Sequence, residues 1–313
     1  MITTTMNFVL VHGGWCGGWW MSRLARALRR RGVEAFAPTL TGLGERVHLA
    51  SPEVGLETHI QDILGLLHYE DLRDVILVGH SSGGAVATGV ADRARDRIKR
   101  LIYFDAIVLQ HGESLADVFP PELTQALTDL AERYGDGWRA PAPFTMQQFG
   151  VTKPEDIAWN ERGMVMQPLK GLAERLTMQS AKFPFPVSYI KCTVGSMGLF
   201  DSSAALAKSE GWDYREVSLT MQPQPWRRML VQICSWRLRP RSSLARGCEV
   251  PSRRIAASWT WPGICMTGAA VADVCANAVD YPDPTDGGSI RQILKTDGHE
   301  HNLYYCEDGC GRP

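Results

Sequence analysis

Through residue 217, short apolar runs alternate with stretches whose apolar positions recur at helical spacing. Asn7 to Val11 reads as a strand that ends at His12-Gly13-Gly14. A helix is expected over Trp19 to Arg31, with Trp20, Leu24 and Leu28 on one face and Gly32 as its stop. Val33 to Ala37 is the next strand, and Glu57 to His68 the next helix, with Ile60, Ile63, Leu64 and Leu67 on one face. Asp74 to Val78 is a continuous apolar strand, the pattern of a sheet buried on both faces. Gly84 to Arg95 reads as a helix, Leu101 to Phe104 and Val187 to Cys192 as strands, Ser202 to Ser209 as a helix, and Tyr214 to Val217 as a last strand. This alternation predicts an α/β fold with a mostly parallel sheet.

The strand rhythm stops between Ile107 and Pro186, where helices are expected over Pro121 to Tyr134 and Leu169 to Ser180. The division expected is a core of residues 1–106 and 187–218, a cap insertion of residues 107–186 over the carboxyl edge of the sheet, and an atypical tail, 219–313. Open α/β sheets bind their ligands at that edge.

Composition excludes more than it assigns. The net charge of −1 gives no electrostatic footprint for nucleic acid, and no apolar run has the length of a membrane span. Met1 to Met6 lacks the basic and apolar regions of a secretory signal, so a cytoplasmic location is expected. Of the 8 cysteines only Cys16 and Cys192 precede the tail, which is not the distribution of a disulfide framework.

The chemistry concentrates at Gly79-His80-Ser81-Ser82-Gly83, a G-x-S-x-G set between an apolar strand and a small-residue helix. A sharp strand-to-helix turn there lifts the Ser81 hydroxyl above the sheet as a nucleophile and turns the Ser82 amide toward a developing oxyanion. The second oxyanion amide is assigned to Gly14, in the loop after the first strand, because Gly13 and Gly14 let backbone approach a substrate oxygen. His12 is expected to be a structural ring under that loop. Trp15 and Trp19 are candidate pocket residues, whereas the helical spacing of Trp20 favours the core.

The strand and loop Phe8 to Gly14, Gly17-Gly18-Trp19, Pro38-Thr39-Leu40-Thr41-Gly42-Leu43-Gly44 and the Ser81 turn together resemble the small α/β-hydrolases. The similarity runs from about residue 7 to residue 217 and points to the branch joining bacterial carboxylesterases to plant salicylate-ester esterases and hydroxynitrile lyases. The resemblance implies an α/β-hydrolase fold, no cofactor, no metal and a small-molecule ester as partner. Lyases of this type carry a threonine directly after the loop histidine; Gly13 stands there, as in the esterases.

The triad is less legible. The usual position for the acid follows Cys192, yet no carboxylate occurs there until Asp201. Asp105, at the end of the strand after the Ser81 helix, is the favoured acid, with Asp201 the alternative. The histidine should follow the last strand, near residue 219, but after Val217 none occurs until His299. Thr220-Met221-Gln222 must be encoded ACN-ATG-CAR. Read one base earlier after a C, with N as G, the same bases give His-Asp-Ala. A change of coding frame near residue 218 or 219 is therefore one account of the missing histidine; a genuine extension with His299 as base is the other. His299 and His301 near Cys306 and Cys310 match no strong zinc pattern.

The expected activity is hydrolysis of small hydrophobic or aromatic carboxylic esters, including xenobiotic esters or carbamates, through an acyl-enzyme. Phe119, Trp138, Phe144 and Met164 are expected to supply an apolar pocket from the cap. A carbon–carbon lyase and a dead, ligand-binding homologue are the alternatives. Monomer and homodimer both remain open.

Overall fold

The computed structural model describes residues 6–180, 182–195, 198–218, 292–296 and 299–303. The chain divides into two units, Met1–Ser242 and Ser243–Pro313. In the first, β1 (Asn7–Val11), α1 (Gly18–Arg29), β2 (Glu34–Phe36), α2 (Leu56–Tyr69), β3 (Val75–Ser81), α3 (Gly83–Arg93) and β4 (Ile98–Ala106) follow one another. Then come α4 (Leu115–Val118), α5 (Pro121–Tyr134), β5 (Arg139–Ala140), α6 (Pro154–Gly163), β6 (Gln167–Pro168) and α7 (Lys170–Ala173). The unit returns to the main sheet with β7 (Val187–Cys192), α8 (Asp201–Ser209) and β8 (Asp213–Val217). In the second unit β9 (Gln292–Thr296) and β10 (His299–Leu303) pair antiparallel.

Six strands form one sheet in the order β2-β1-β3-β4-β7-β8, every neighbouring pair parallel. Successive strand side chains point to opposite faces, and here both faces are apolar. Val9, Val11, Val75 and Leu77 pack with Ile60, Ile63 and Leu67 of α2 and with α3. Phe8, Leu10, Ile76 and Val78 pack on the other face with Trp20, Met21, Leu24 and Leu28 of α1.

The chain leaves β1 in one direction toward β2 and re-enters on the other side at β3. The loops after β1 and β3 therefore diverge at a switch point, the crevice where such sheets bind ligands.

The expected strands and core helices form with boundaries moved by a few residues; β3 runs on through Ser81, and β4 is longer at both ends. One element is corrected. The helix expected over Leu169 to Ser180 is helical only at Lys170–Ala173. Beyond it the backbone bonds to other elements: the Leu176 amide to the Glu113 carbonyl at 2.8 Å, the Met178 amide to His111 Nδ1 at 3.0 Å, and the Gln179 amide to Asp92 Oδ2 at 2.6 Å. These partners replace the bonds a continuing helix would make. The proposed frame change and the segment around Thr220 lie outside the described residues. No described helix is long and apolar enough to cross a membrane.

Candidate active site

Ser81 ends β3 with φ +52°, and α3 starts two residues later at Gly83. A non-glycine residue at positive φ is strained by roughly 1–3 kcal/mol and persists only where its surroundings fix it. Here the Ser81 carbonyl accepts from the Ile107 amide at 3.0 Å, and the Ser82 carbonyl from Ala85 at 3.1 Å. The helix seats directly on the β1 loop: a Cβ on Gly83 would meet the His12 carbonyl oxygen. Only a residue without a side chain allows that approach.

The β1 loop reaches the same point. A Cβ on Gly13 would lie 2.8 Å from Ser81 Cβ and 3.3 Å from its Oγ, and one on Gly14 would lie 3.4 Å from Ser82 Oγ. The amides of Gly14 and Ser82 have no hydrogen-bond partner among the described residues. His12 holds the loop from beneath: its Nδ1–H donates to the Gly13 carbonyl at 2.8 Å, and its Nε2 accepts from the Leu40 amide at 3.1 Å. That pattern requires a neutral ring, and burial lowers its pKa to about 4. His80 is also sealed in, stacked on Trp20 with ring centroids 4.3 Å apart, and burial pushes it down to about 3.

Asp105 ends near β4's terminus, fully buried and at φ +43°. Its Oδ1 accepts from the Cys192 amide at 3.1 Å, while Oδ2 is buried with no partner among the described residues. Desolvation raises its pKa to about 7, against the opposing pull of the Cys192 amide and Lys191. Asp201 differs in every respect: it is exposed at the start of α8 and paired with Lys191 Nζ at 2.5 Å. His299 opens β10 in the second unit, opposite Thr296.

Ser81, Ser82, Gly13 and Gly14 line one cavity. Its walls are mostly apolar and come from Leu40, Leu43, Val86, Leu115, Phe119 and Leu127, with Trp15, Phe144 and Phe149 at another side. Of the four aromatic and Met residues expected there, Phe119 and Phe144 line it; Trp138, which lies against Arg139, and Met164, just past the end of α6, do not. Trp15 lines the cavity, whereas Trp19 packs edge-on to Trp159 and Trp20 donates to Asn160 in the core.

Two polar cavity residues escaped the sequence reading, as did much of the apolar lining. Gln167 Oε1 accepts from the Trp15 amide at 3.1 Å, across 152 positions, and no local pattern announces such a contact. His59 also lines the cavity and lies on the apolar face of α2, beside Ile60 and Ile63. A polar ring on that face is the signal that could have found it.

Comparison with known proteins agrees with this architecture. The model of the alpha/beta hydrolase family matches residues 8–265, and the chain belongs to that family. A carbendazim hydrolyzing esterase from Nocardioides sp. (strain SG-4G) is 55% identical over 136 residues, 44% of this chain and 55% of that protein. The putative chloroplastic methylesterase 14 of Arabidopsis thaliana is 28% identical over 190 residues, 56% of this chain and 55% of that protein. The chain thus spans about half the length of these curated relatives. Among solved structures, an extracellular α/β-hydrolase from a Paenibacillus species, said to share structural and functional homology with tobacco salicylic acid binding protein 2, superposes with a TM-score of 0.64 at 24% identity. That match covers 72% of this chain and 98% of the other. A pyrethroid hydrolase from Sphingobium faniae JZ-2 gives 0.56 at 22%, covering 74% and 97%; both likenesses concern the fold.

Proposed function

We propose that this chain is a serine carboxylesterase acting on small hydrophobic or aromatic esters. The observation that carries the reading is Ser81, held at positive φ on a strand-to-helix turn and lining an apolar cavity beside two amides that have no partner among the described residues. In the proposed reaction Ser81 Oγ bonds to the ester carbonyl carbon while its proton passes to an imidazole. The Gly14 and Ser82 amides hold the oxyanion, and the alcohol leaves with that proton. Water then attacks the acyl-enzyme by the same route and releases the acid.

Asp105 is the proposed acid. Its buried Oδ2, without a partner among the described residues, suits an imidazole N–H, which would also return the carboxyl toward its ionised form. Residues 107–186 act as the cap, since Phe119, Leu127 and Phe144 contribute walls of the cavity. The relative described as a carbendazim hydrolyzing esterase supports esters or carbamates of xenobiotic type.

The imidazole is proposed to come from the frame that the bases of Thr220-Met221-Gln222 admit. A fluorophosphonate probe, followed by peptide mass spectrometry, should mark Ser81. A chain whose residues from 219 onward are read in the alternate frame should hydrolyse p-nitrophenyl butyrate far faster than the chain with the printed tail. Unchanged turnover after Ser81→Ala would sink the assignment. Verified gene reads with no shift near codon 218 would remove the frame account alone.

A second reading has one observation behind it. His12 is committed at both ring nitrogens, His80 is sealed, and Asp105 Oδ2 has no partner among the described residues. A chain with the printed tail could therefore bind an ester without turning it over. Ligand binding with no probe labelling of Ser81 would favour that reading.

A further inference from the structure

We infer that His59 is a substrate-recognition residue, and that its ring nitrogen Nδ1 accepts a hydrogen bond from an O–H or N–H carried on the aromatic part of the ester. This rests on the proposed use of the Ser81 cavity, and it narrows the substrate class to aromatic esters bearing a hydrogen-bond donor.

The argument starts from the tautomer. His59 Nε2 lies 3.0 Å from the Thr41 carbonyl oxygen, which can only accept, so Nε2 carries the proton. Burial lowers the ring's pKa, so the second proton is absent at neutral pH. Nδ1 is left as a lone-pair acceptor.

The ring is held firmly in that state. The Thr41 amide donates to Asp62 Oδ2 and its hydroxyl to Asp62 Oδ1, both at 2.7 Å, and Arg46 adds a further bond to Asp62 at 3.3 Å. The loop motif from Pro38 to Gly44 thereby acquires a purpose beyond its leucines: its Thr41 carbonyl fixes the orientation and protonation of a ring in the cavity wall.

Nδ1 itself has no hydrogen-bond partner among the described residues. It is also not among the sealed polar atoms, unlike both ring nitrogens of His80. The residue is only 6% exposed and lines the Ser81 cavity, and Nδ1 is taken as the ring atom that a ligand in that cavity reaches. A buried acceptor left unpaired by a ligand is penalised, so such a group selects for ligands that satisfy it.

The test uses aryl ketones, which share the shape of aryl esters and cannot be hydrolysed. Ortho-, meta- and para-hydroxyacetophenone are compared with their methyl counterparts by calorimetry on the full chain. At least one hydroxy isomer is expected to bind about tenfold more tightly than its methyl partner, the scale of one well-made buried hydrogen bond. His59→Phe should abolish that advantage, and the nitrogen NMR signal of His59 Nδ1 in the unaltered chain should shift with that isomer and not with its methyl partner. The inference is overturned if no hydroxy isomer is preferred by the unaltered chain, if the preference survives His59→Phe, or if the Nδ1 signal does not respond. The NMR arm decides the matter where His59→Phe does not fold. Ser81 probe labelling is read on the same sample, so loss of the esterase reading and loss of this one are distinguishable.

Discussion

The Cys192 amide donates to Asp105 Oδ1 at 3.1 Å, joining the carboxyl ends of two adjacent strands, β7 and β4. It is one polar anchor for a carboxyl group whose other oxygen is buried with no partner among the described residues. Burial outweighs the hydrogen bonding from Cys192 and the charge of Lys191, and the pKa rises to about 7.

With no imidazole bonded to it among the described residues, that balance makes Asp105 a destabilising group. Its folded pKa is raised, so the folded state is unpenalised below the unfolded value of about 4 and loses stability as pH climbs to about 7. Asp105→Asn should therefore leave the urea midpoint of the printed chain unchanged near pH 4. Above pH 7 it should raise stability by roughly 2–4 kcal/mol, at about 1.4 kcal/mol per pH unit. In the frame-restored chain the same change should cut turnover on the order of 10³–10⁴-fold. A destabilised variant at pH 8 would contradict the buried, unpaired geometry.

Three buried histidines act in the opposite direction. His12 is lowered to about 4 and His80 to about 3, and His59 is lowered as well, all chiefly by burial. Below about pH 6.5 the unfolded chain takes up protons that the folded rings refuse, so stability falls as pH drops toward 4. Three rings outweigh the single carboxyl in that window. The urea midpoint should decline from pH 7 to pH 5, His12 and His80 each contributing up to about 1.4 kcal/mol per pH unit and His59 adding in the same direction. A flat or rising midpoint on acidification would rule this out.

Gly13→Ala tests the approach of the two loops. The added Cβ would sit 2.8 Å from Ser81 Cβ, so either the β1 loop or the serine must move. Displacement of a reacting group by even about 1 Å costs about 10²-fold, and fluorophosphonate labelling of Ser81 should slow on that scale. Gly65→Ala is the comparison. Its Cβ would meet nothing within 4 Å, and the gain in helix propensity should stabilise α2 by roughly 0.5–1 kcal/mol with labelling unchanged. Equal labelling rates in the two variants would refute the crowding argument.

Gln167→Leu removes the acceptor for the Trp15 amide, beside Gly14. Leaving that amide unpaired should cost roughly 1–3 kcal/mol of stability and slow Ser81 labelling. Gln167→Glu keeps an oxygen at the same place and should retain the fast rate. If Leu and Glu behave alike, the contact does not position the loop.

Much of the framework was legible in advance because its causes are local. Continuous apolar strands mark a sheet covered on both faces, and α1 and α2 announce themselves by the spacing of Trp20, Leu24, Leu28, Ile60 and Ile63. The Ser81 turn was legible because small residues at fixed offsets are what the close helix approach demands. The stretch after Ala173 was misread because its amides pair with Glu113, His111 and Asp92, partners far away in sequence.

By itself the chain's order of residues determined the alternation of strands and helices, the place of the serine turn and the glycine loop that meets it. These follow from periodicity and from side chains too small to obstruct. Tertiary structure decided which carboxyl is deprived of water, which cap residues face the cavity, and that His59 and Gln167 stand in its wall. Desolvation, and the choice of hydrogen-bond partner, depend on what distant segments bring alongside, as the Asp105 and Cys192 pairing across 87 positions illustrates.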